Sequence, residues 1–243
     1  MSVVCMLTSL KFVFAIMGKD KLIRWAENQT FPNVFETDVH AIVKGSTYMQ
    51  GEWHEKAFEN DKPIVLELGC GKGEYTVGLA RIFPEKNFLG IDIKSHRFWR
   101  GAKTAIEEGL RNAAFLRTRI EFLDHHFNAN EIDEIWLTFS DPQLKDRREK
   151  HRLSGERFLN IYRKVIKKSG LLHLKTDNTL LYEWTLEEFE RLGVEVITHS
   201  PDIYADYIFE QNKEMQSVLN IRTYYETMFA EKGEKIKYIK ARL

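Results

Sequence analysis

A chain of 243 residues suits one domain with short extensions, and 43% hydrophobic against 30% charged residues is the balance of a globular protein with a sizeable core. Lys+Arg 36 against Asp+Glu 36 leaves no net charge; this excludes a generally basic nucleic-acid coat, so any affinity for RNA has to come from a local patch. Cys5 and Cys70 lie far apart with no CxxC spacing, which argues against a disulfide framework or a zinc site and for a reducing, cytoplasmic compartment.

Met1 to Ile16 is apolar apart from Lys11. The run is short for a membrane span and lacks the basic n-region and small-residue cleavage site of a signal peptide. Met17 is the expected start, with an upstream extension before it and no membrane contact. Lys19–Asn28 reads as a short basic helix and Phe31-Pro32-Asn33 as an extended arm, so residues 1–62 form an N-terminal extension and arm and residues 63–243 the domain proper. Strands are predicted at Ile64–Leu68, Phe88–Ile93, Ala114–Leu116, Glu134–Thr138, Leu171–Lys175, Glu195–Thr198 and Lys237–Lys240. Helices are predicted between them at Tyr75–Phe83, Phe98–Glu108, Glu156–Lys167 and Leu180–Leu192. Continuous apolar strands alternating with helices predict a doubly wound α/β domain: a mostly parallel, seven-stranded sheet with helices on both faces. Such sheets bind ligands at the carboxyl ends of their strands, near the switch in strand order.

The first domain strand runs into Glu67-Leu68-Gly69-Cys70-Gly71-Lys72-Gly73 and then a helix, and Asp92 ends the next strand. Glycines allow the tight turn and close approach of a ligand to the backbone, and an acid about 20 residues on suits ribose hydroxyls. The spacing is G-x-G-x-G, whereas dinucleotide enzymes use G-x-G-x-x-G. A diphosphate would be repelled by Glu67; S-adenosylmethionine has no phosphate and carries a sulfonium and an ammonium, which an acidic strand tip suits. Glu67, Gly69, Gly71 and Asp92 are therefore the candidate cofactor residues.

After the fourth domain strand, Asp141-Pro142 biases the chain into a turn. Lys145, Arg147, Arg148, Lys150 and Arg152 then bring five cations together. A charge run is often only a solvated face, but this one outnumbers its acids, Asp146 and Glu149, and adjoins the predicted cofactor site. A phosphate backbone is its natural partner. His125-His126 has no third ligand at proper spacing, so no metal is expected. Thr223 and Glu226 fit a capping box for the last helix. Asp177 reads either as a site acid or as the N-cap of the Leu180 helix. The tyrosines Tyr204, Tyr207, Tyr224 and Tyr225 read as core or groove filler.

Four separated motifs together resemble the bacterial tRNA (guanine-N7)-methyltransferases, class I methyltransferases with a Rossmann-like sheet. They are Leu66 to Gly73 with Gly90-Ile91-Asp92, Asp141-Pro142 leading into Lys145 and Arg147 to Arg152, His173-Leu174-Lys175-Thr176-Asp177, and Thr223-Tyr224-Tyr225-Glu226. The resemblance runs from Phe31 to the C-terminus. It implies contacts to S-adenosylmethionine from Glu67, Asp92 and Asp141, with Asp141 also the catalytic residue. Lys145, Asp177 and the Thr223–Glu226 segment would meet the substrate, and Arg147 to Arg152 the RNA. The product implied is N7-methylguanosine at position 46 of the tRNA variable loop, made by a monomer or homodimer. Two positions depart from the family pattern. Gln143 stands where a Trp commonly follows Asp-Pro, and Arg119 stands where an acid or amide would meet the adenine. A methyltransferase for another RNA or a small molecule, a non-catalytic binding module and a nicotinamide dehydrogenase are the rival readings; the glycine spacing opposes the last.

Overall fold

In a computed structural model describing residues 20–243, with the side chain of Asp206 left aside, the apolar runs become strands of one sheet. The expectation for Met17 lies outside the described residues. Helix α1 (residues 20–28) leads to β1 (Val34–Glu36), α2 (Val39–Val43) and a π-helical turn at His54–Phe58. Then come β2 (Ile64–Leu68), α3 (Glu74–Ile82), β3 (Asn87–Asp92), α4 (Ser95–Glu107) and β4 (Ala113–Arg117). A 3-10 turn at Ile120–His125 precedes β5 (Ile132–Thr138), and a second, Asp146–His151, precedes α5 (Glu156–Val165), β6 (Ile166–Thr176) and α6 (Thr179–Arg191). The chain ends with β7 (Glu195–Ser200), α7 (Ile208–Glu210), α8 (Lys213–Leu219), α9 (Tyr224–Ala230) and β8 (Lys237–Arg242).

The strand order is β1-β4-β3-β2-β5-β6-β8-β7. Every pair from β1 to β6 is parallel, and β8 runs antiparallel between β6 and β7. The chain steps outward from β2 through β3 and β4, then returns and steps the other way through β5 and β6. The switch in order therefore falls between β2 and β5, and ligands of such sheets enter above that point. Every residue of β2 and β3 is buried, because helices cover both faces. Val65 packs into the cluster of Phe98 and Phe115, while Leu66 and Leu68 join the opposite cluster with Leu159 and Leu181.

The sheet has eight strands where seven were expected. The addition is β1, whose three residues pair with β4 at the edge, Phe35 opposite Leu116; so short a strand leaves no periodicity to read. Helix α5 stops at Val165, two residues early, because Ile166 is already paired with Ile132. Residues ahead of Pro63 also enter the core. Trp53 is wholly buried, stacked on Phe127 at 5.4 Å, with its indole N–H donating to the His126 carbonyl at 2.8 Å. His126 is a structural pin: Nδ1 donates to the Tyr48 carbonyl, Nε2 accepts from the Thr118 hydroxyl, and burial pushes its pKa down to about 4.

Candidate active site

Strand β2 carries Glu67 to the carboxyl edge, and the chain turns at once. Gly69, Gly71 and Gly73 have φ of 76°, 56° and 74°, a left-handed region that costs L side chains about 1–2 kcal/mol per residue. At Gly73 space is missing as well, since an added Cβ would lie 2.5 Å from the Phe115 ring. The buried carboxylate of Glu67 accepts the Thr76 amide at 2.8 Å, the Thr76 hydroxyl, and the Thr138 hydroxyl at 2.5 Å. It thereby ties β2 to the first turn of α3 and the tip of β5. Burial outweighs these bonds and pushes its pKa up to about 7. Asp92 accepts the Lys94 amide at 2.9 Å on one oxygen and the Gly71 amide at 3.2 Å on the other. A carboxylate offers about four lone-pair sites, so Asp92 keeps acceptor capacity for a ligand.

At the end of β5, the Phe139 amide still donates to the Lys175 carbonyl at 2.8 Å. Beyond it the backbone is unusual: Phe139 and Gln143 have φ of 50° and 49°, a conformation uncommon outside glycine. Asp141 is exposed, and its Oδ1 accepts the Gln143 amide at 3.0 Å, which fixes the carboxyl against its own turn.

Six residues singled out from the sequence, Glu67, Gly69, Gly71, Asp92, Asp141 and Thr223, line one cavity of about 630 Å³, a size typical of ligand sites. Ile93, Thr118, Ile120 and Glu121 form another part of its wall, and Tyr225 and His151 also line it. Arg119 lines it too, as does Glu121, an acid two positions later that none of the motifs includes. Burial alone would raise Glu121, but its own amide and the Arg119 and Arg157 guanidiniums hold it below its usual value. The signal was present in Arg119-Ile120-Glu121, where the acid is displaced into the first turn of the 3-10 helix.

Outside the cavity lining, the structure sorts the remaining candidates by burial. Lys145, Arg147, Arg148 and Lys150 are exposed, and among the described residues none forms an ion pair. Asp177 is half-buried at the end of β6, with burial raising its pKa. It is not the helix cap: Asn178 accepts the Leu181 amide at 2.8 Å and fills that role.

Two expectations of direct substrate contact need correction. Arg152 is 2% exposed, with its guanidinium 4.5 Å over the Trp184 ring and hydrogen-bonded to Pro142 and Gln143 carbonyls and the Glu149 carboxylate. Glu226 is wholly buried, held by Lys175 Nζ at 2.9 Å and the Tyr204 hydroxyl at 2.5 Å. Only half of the capping box forms. The Thr223 hydroxyl accepts the Glu226 amide at 3.1 Å, whereas the Glu226 carboxylate turns inward to Lys175. Lys175 is the buried structural partner that the sequence reading did not single out. Its signal is a lysine closing the buried run 172–174, which demands a buried partner; burial pushes its pKa down to about 8 against the pull of Glu226. Tyr224 and Tyr225 are about half exposed and stand edge to face, 5.7 Å apart, with Lys72 Nζ 3.6 Å over the Tyr224 ring. The Tyr224 amide donates to Glu74 at 2.9 Å, joining the start of α9 to that of α3.

Comparison with known proteins follows the same lines. The family model described as "Putative methyltransferase" matches residues 61–239. The tRNA (guanine-N(7)-)-methyltransferase of Christiangramia forsetii is 48% identical over 93% of this chain and 99% of its own length. Its namesake from Bacteroides thetaiotaomicron is 46% identical over 93% and 87%, and that from Lactococcus lactis subsp. cremoris 35% over 84% and 91%. Among solved structures, the 16S rRNA methyltransferase KamB superposes with a TM-score of 0.59 at 13% identity, covering 81% of this chain and 95% of its own. An antibiotic-related methyltransferase gives 0.56 at 15% identity, covering 81% and 94%. At such identities these two structures share the fold, a class I methyltransferase sheet.

Proposed function

The chain belongs to the tRNA (guanine-N(7)-)-methyltransferase family, and from that premise we propose that it methylates N7 of a guanine in tRNA, the variable-loop guanosine, using S-adenosylmethionine. One observation carries the reading: a single cavity joins the glycine loop, Asp92 and Asp141 to His151, at the end of an exposed turn whose lysine and arginines form no ion pair among the described residues. The donor set fits a cationic methyl donor. Glu67, Glu74, Asp92, Glu121 and Asp141 all line the cavity, and left-handed glycines leave backbone open where side chains would otherwise stand. Asp92 would bind the ribose hydroxyls through its spare lone pairs. Ile93, Ile120 and Glu121 would enclose the adenine, with Glu121 taking the part that Arg119 cannot. Glu67 would contribute its charge from inside the wall.

S-adenosylmethionine, when bound, supplies a methyl group already activated by its sulfonium. Guanine N7 has a free lone pair at neutral pH, so the protein's task is alignment rather than removal of a proton. Attack leaves positive charge on the purine and acidifies its N1–H. The Asp141 carboxylate, exposed and held by the Gln143 amide, would accept from N1–H and the exocyclic amine and stabilise that charge. Lys145, Arg147, Arg148 and Lys150 would hold the phosphate backbone. Asp177, Thr223 and the neighbouring Tyr225 would meet the nucleoside, with Glu226 anchoring α9 from behind. A tRNA substrate implies work in the cytoplasm.

The test incubates the protein with unmodified tRNA and methyl-labelled S-adenosylmethionine and maps the product by borohydride–aniline cleavage, which cuts at N7-methylguanosine. Cleavage at one variable-loop guanosine is expected. Label entering tRNA without such cleavage, or not entering at all, would refute the reading.

A further inference from the structure

The run from Lys145 to Arg152 looks uniform in sequence, but one of its cations faces the opposite way. Arg152 lies at the foot of the basic turn, where the chain re-enters the core before Ser154, itself buried. Three acceptors surround its guanidinium. Nε donates to the Pro142 carbonyl at 3.1 Å, Nη2 to the Gln143 carbonyl at 3.4 Å, and Nη1 to Glu149 Oε1 at 2.7 Å. Trp184 of α6 covers one face of the group at 4.5 Å. Two of its five N–H groups stay uncommitted, but with the side chain 3% exposed they do not reach a phosphate at the surface. Two of its acceptors are consecutive carbonyls immediately after Asp141.

We propose that Arg152 is a positioning residue for Asp141: it closes the 142–152 excursion at its base and holds the Asp141-Pro142-Gln143 turn in its active shape. Gln143 is the reason that a clamp is needed. Its φ of 49° is a conformation that non-glycine residues rarely keep unless the surroundings enforce it. The Gln143 amide is also the group that fixes the Asp141 carboxyl. Arg152 grips the carbonyls of Pro142 and Gln143, which flank that amide along the chain, so relaxation at Gln143 and rotation of Asp141 are blocked together. The planar fork of arginine reaches three acceptors and stacks on an aromatic ring; an ammonium offers neither geometry. Glu149 belongs to the basic turn, so the same guanidinium also joins the RNA-facing segment to the catalytic one.

The inference rests on the reading of Asp141 given above, and R152K separates the two possible jobs because it keeps the charge and loses the fork. With tRNA saturating, kcat of R152K is expected to fall by about tenfold to a hundredfold, the range that misplacement near 1 Å produces. The tRNA dissociation constant, its salt dependence and the affinity for S-adenosylmethionine should stay at wild-type values. Wild-type kcat in R152K would overturn the proposal, as would a salt slope shallower by about 0.9 in R152Q, which removes the charge, since that is the change expected when one phosphate is no longer neutralised. If R152K fails to bind S-adenosylmethionine and is therefore misfolded, W184L removes the stacking face and leaves Arg152 charged; the same selective loss of kcat is expected, and unchanged kcat overturns the proposal. A wild-type protein that transfers no methyl to tRNA would instead defeat the reading of the site itself.

Discussion

The exposed turn at Asp146–His151 and the buried pair behind α9 both carry charges that the motifs link to tRNA, yet the fold treats them in opposite ways. Lys145, Arg147, Arg148 and Lys150 stand in solvent. Lys175 and Glu226 have no exposed side-chain surface at all, and Lys175 Nζ further donates to the carbonyls of Leu219 and Ile221. Exposed charges lose little on binding a polyanion and gain by releasing its counterions. Buried charges have already given up their water and are committed to each other. Similar residue types are thus left at the surface in one place and committed to architecture in the other, and burial decides which.

The largest expected effect breaks the buried side of this contrast. Lys175→Met leaves Glu226 uncompensated in the core and should lower stability by about 3–5 kcal/mol in urea unfolding. A loss under about 1 kcal/mol, the value of an exposed pair, would mean that the pair is hydrated in solution. Next comes Asp141→Ala, which should cut kcat by about 10²–10³ while stability stays within about 0.5 kcal/mol; wild-type turnover would remove Asp141 from the chemistry. Neutralising Lys145, Arg147, Arg148 and Lys150 together probes the exposed side. The slope of log affinity for tRNA against log salt should fall by about 0.9 for each phosphate left without its cation, with S-adenosylmethionine binding unchanged, and an unaltered slope would reduce the turn to a solvated face.

The smallest effect concerns Glu67, whose pKa burial raises to about 7. Below that pH it is neutral and attracts no cation; above it the carboxylate is charged. Affinity for S-adenosylmethionine should therefore climb severalfold as pH rises through 7, and Glu67→Gln should flatten the profile. The unliganded fold responds with the opposite sign. The folded chain holds a proton that the unfolded chain releases near the ordinary value of 4.5, so stability falls as pH rises toward 7. A pH-independent affinity in the wild-type protein would show that Glu67 does not act on the ligand.

How much of this was legible in the sequence depends on how local each cause is. Strand β2 matched at both ends because Ile64–Leu68 is a continuous apolar run bounded by Pro63 and a glycine turn. The glycine loop, Asp92 and Asp141 were legible because each stands at or just past the carboxyl end of a strand of that sheet. Strand β1 was not, since three residues carry no period and are recruited by β4 across the chain. Nor could the sequence separate Arg152 from its neighbours: the ring that covers it comes from Trp184, on another helix. Thr223 was placed correctly as a cap, but the partner that turns the Glu226 carboxylate inward, Lys175, lies 51 residues away.

The central claim is that the carboxylate-lined cavity takes a cationic methyl donor, and titration calorimetry with S-adenosylmethionine tests it most directly. One molecule bound per chain is predicted, with Asp92→Asn weakening affinity by about tenfold to a hundredfold, as expected for loss of hydrogen bonds to a charged group. Absence of heat from folded wild-type protein, or an Asp92→Asn variant that binds as tightly, would contradict the account.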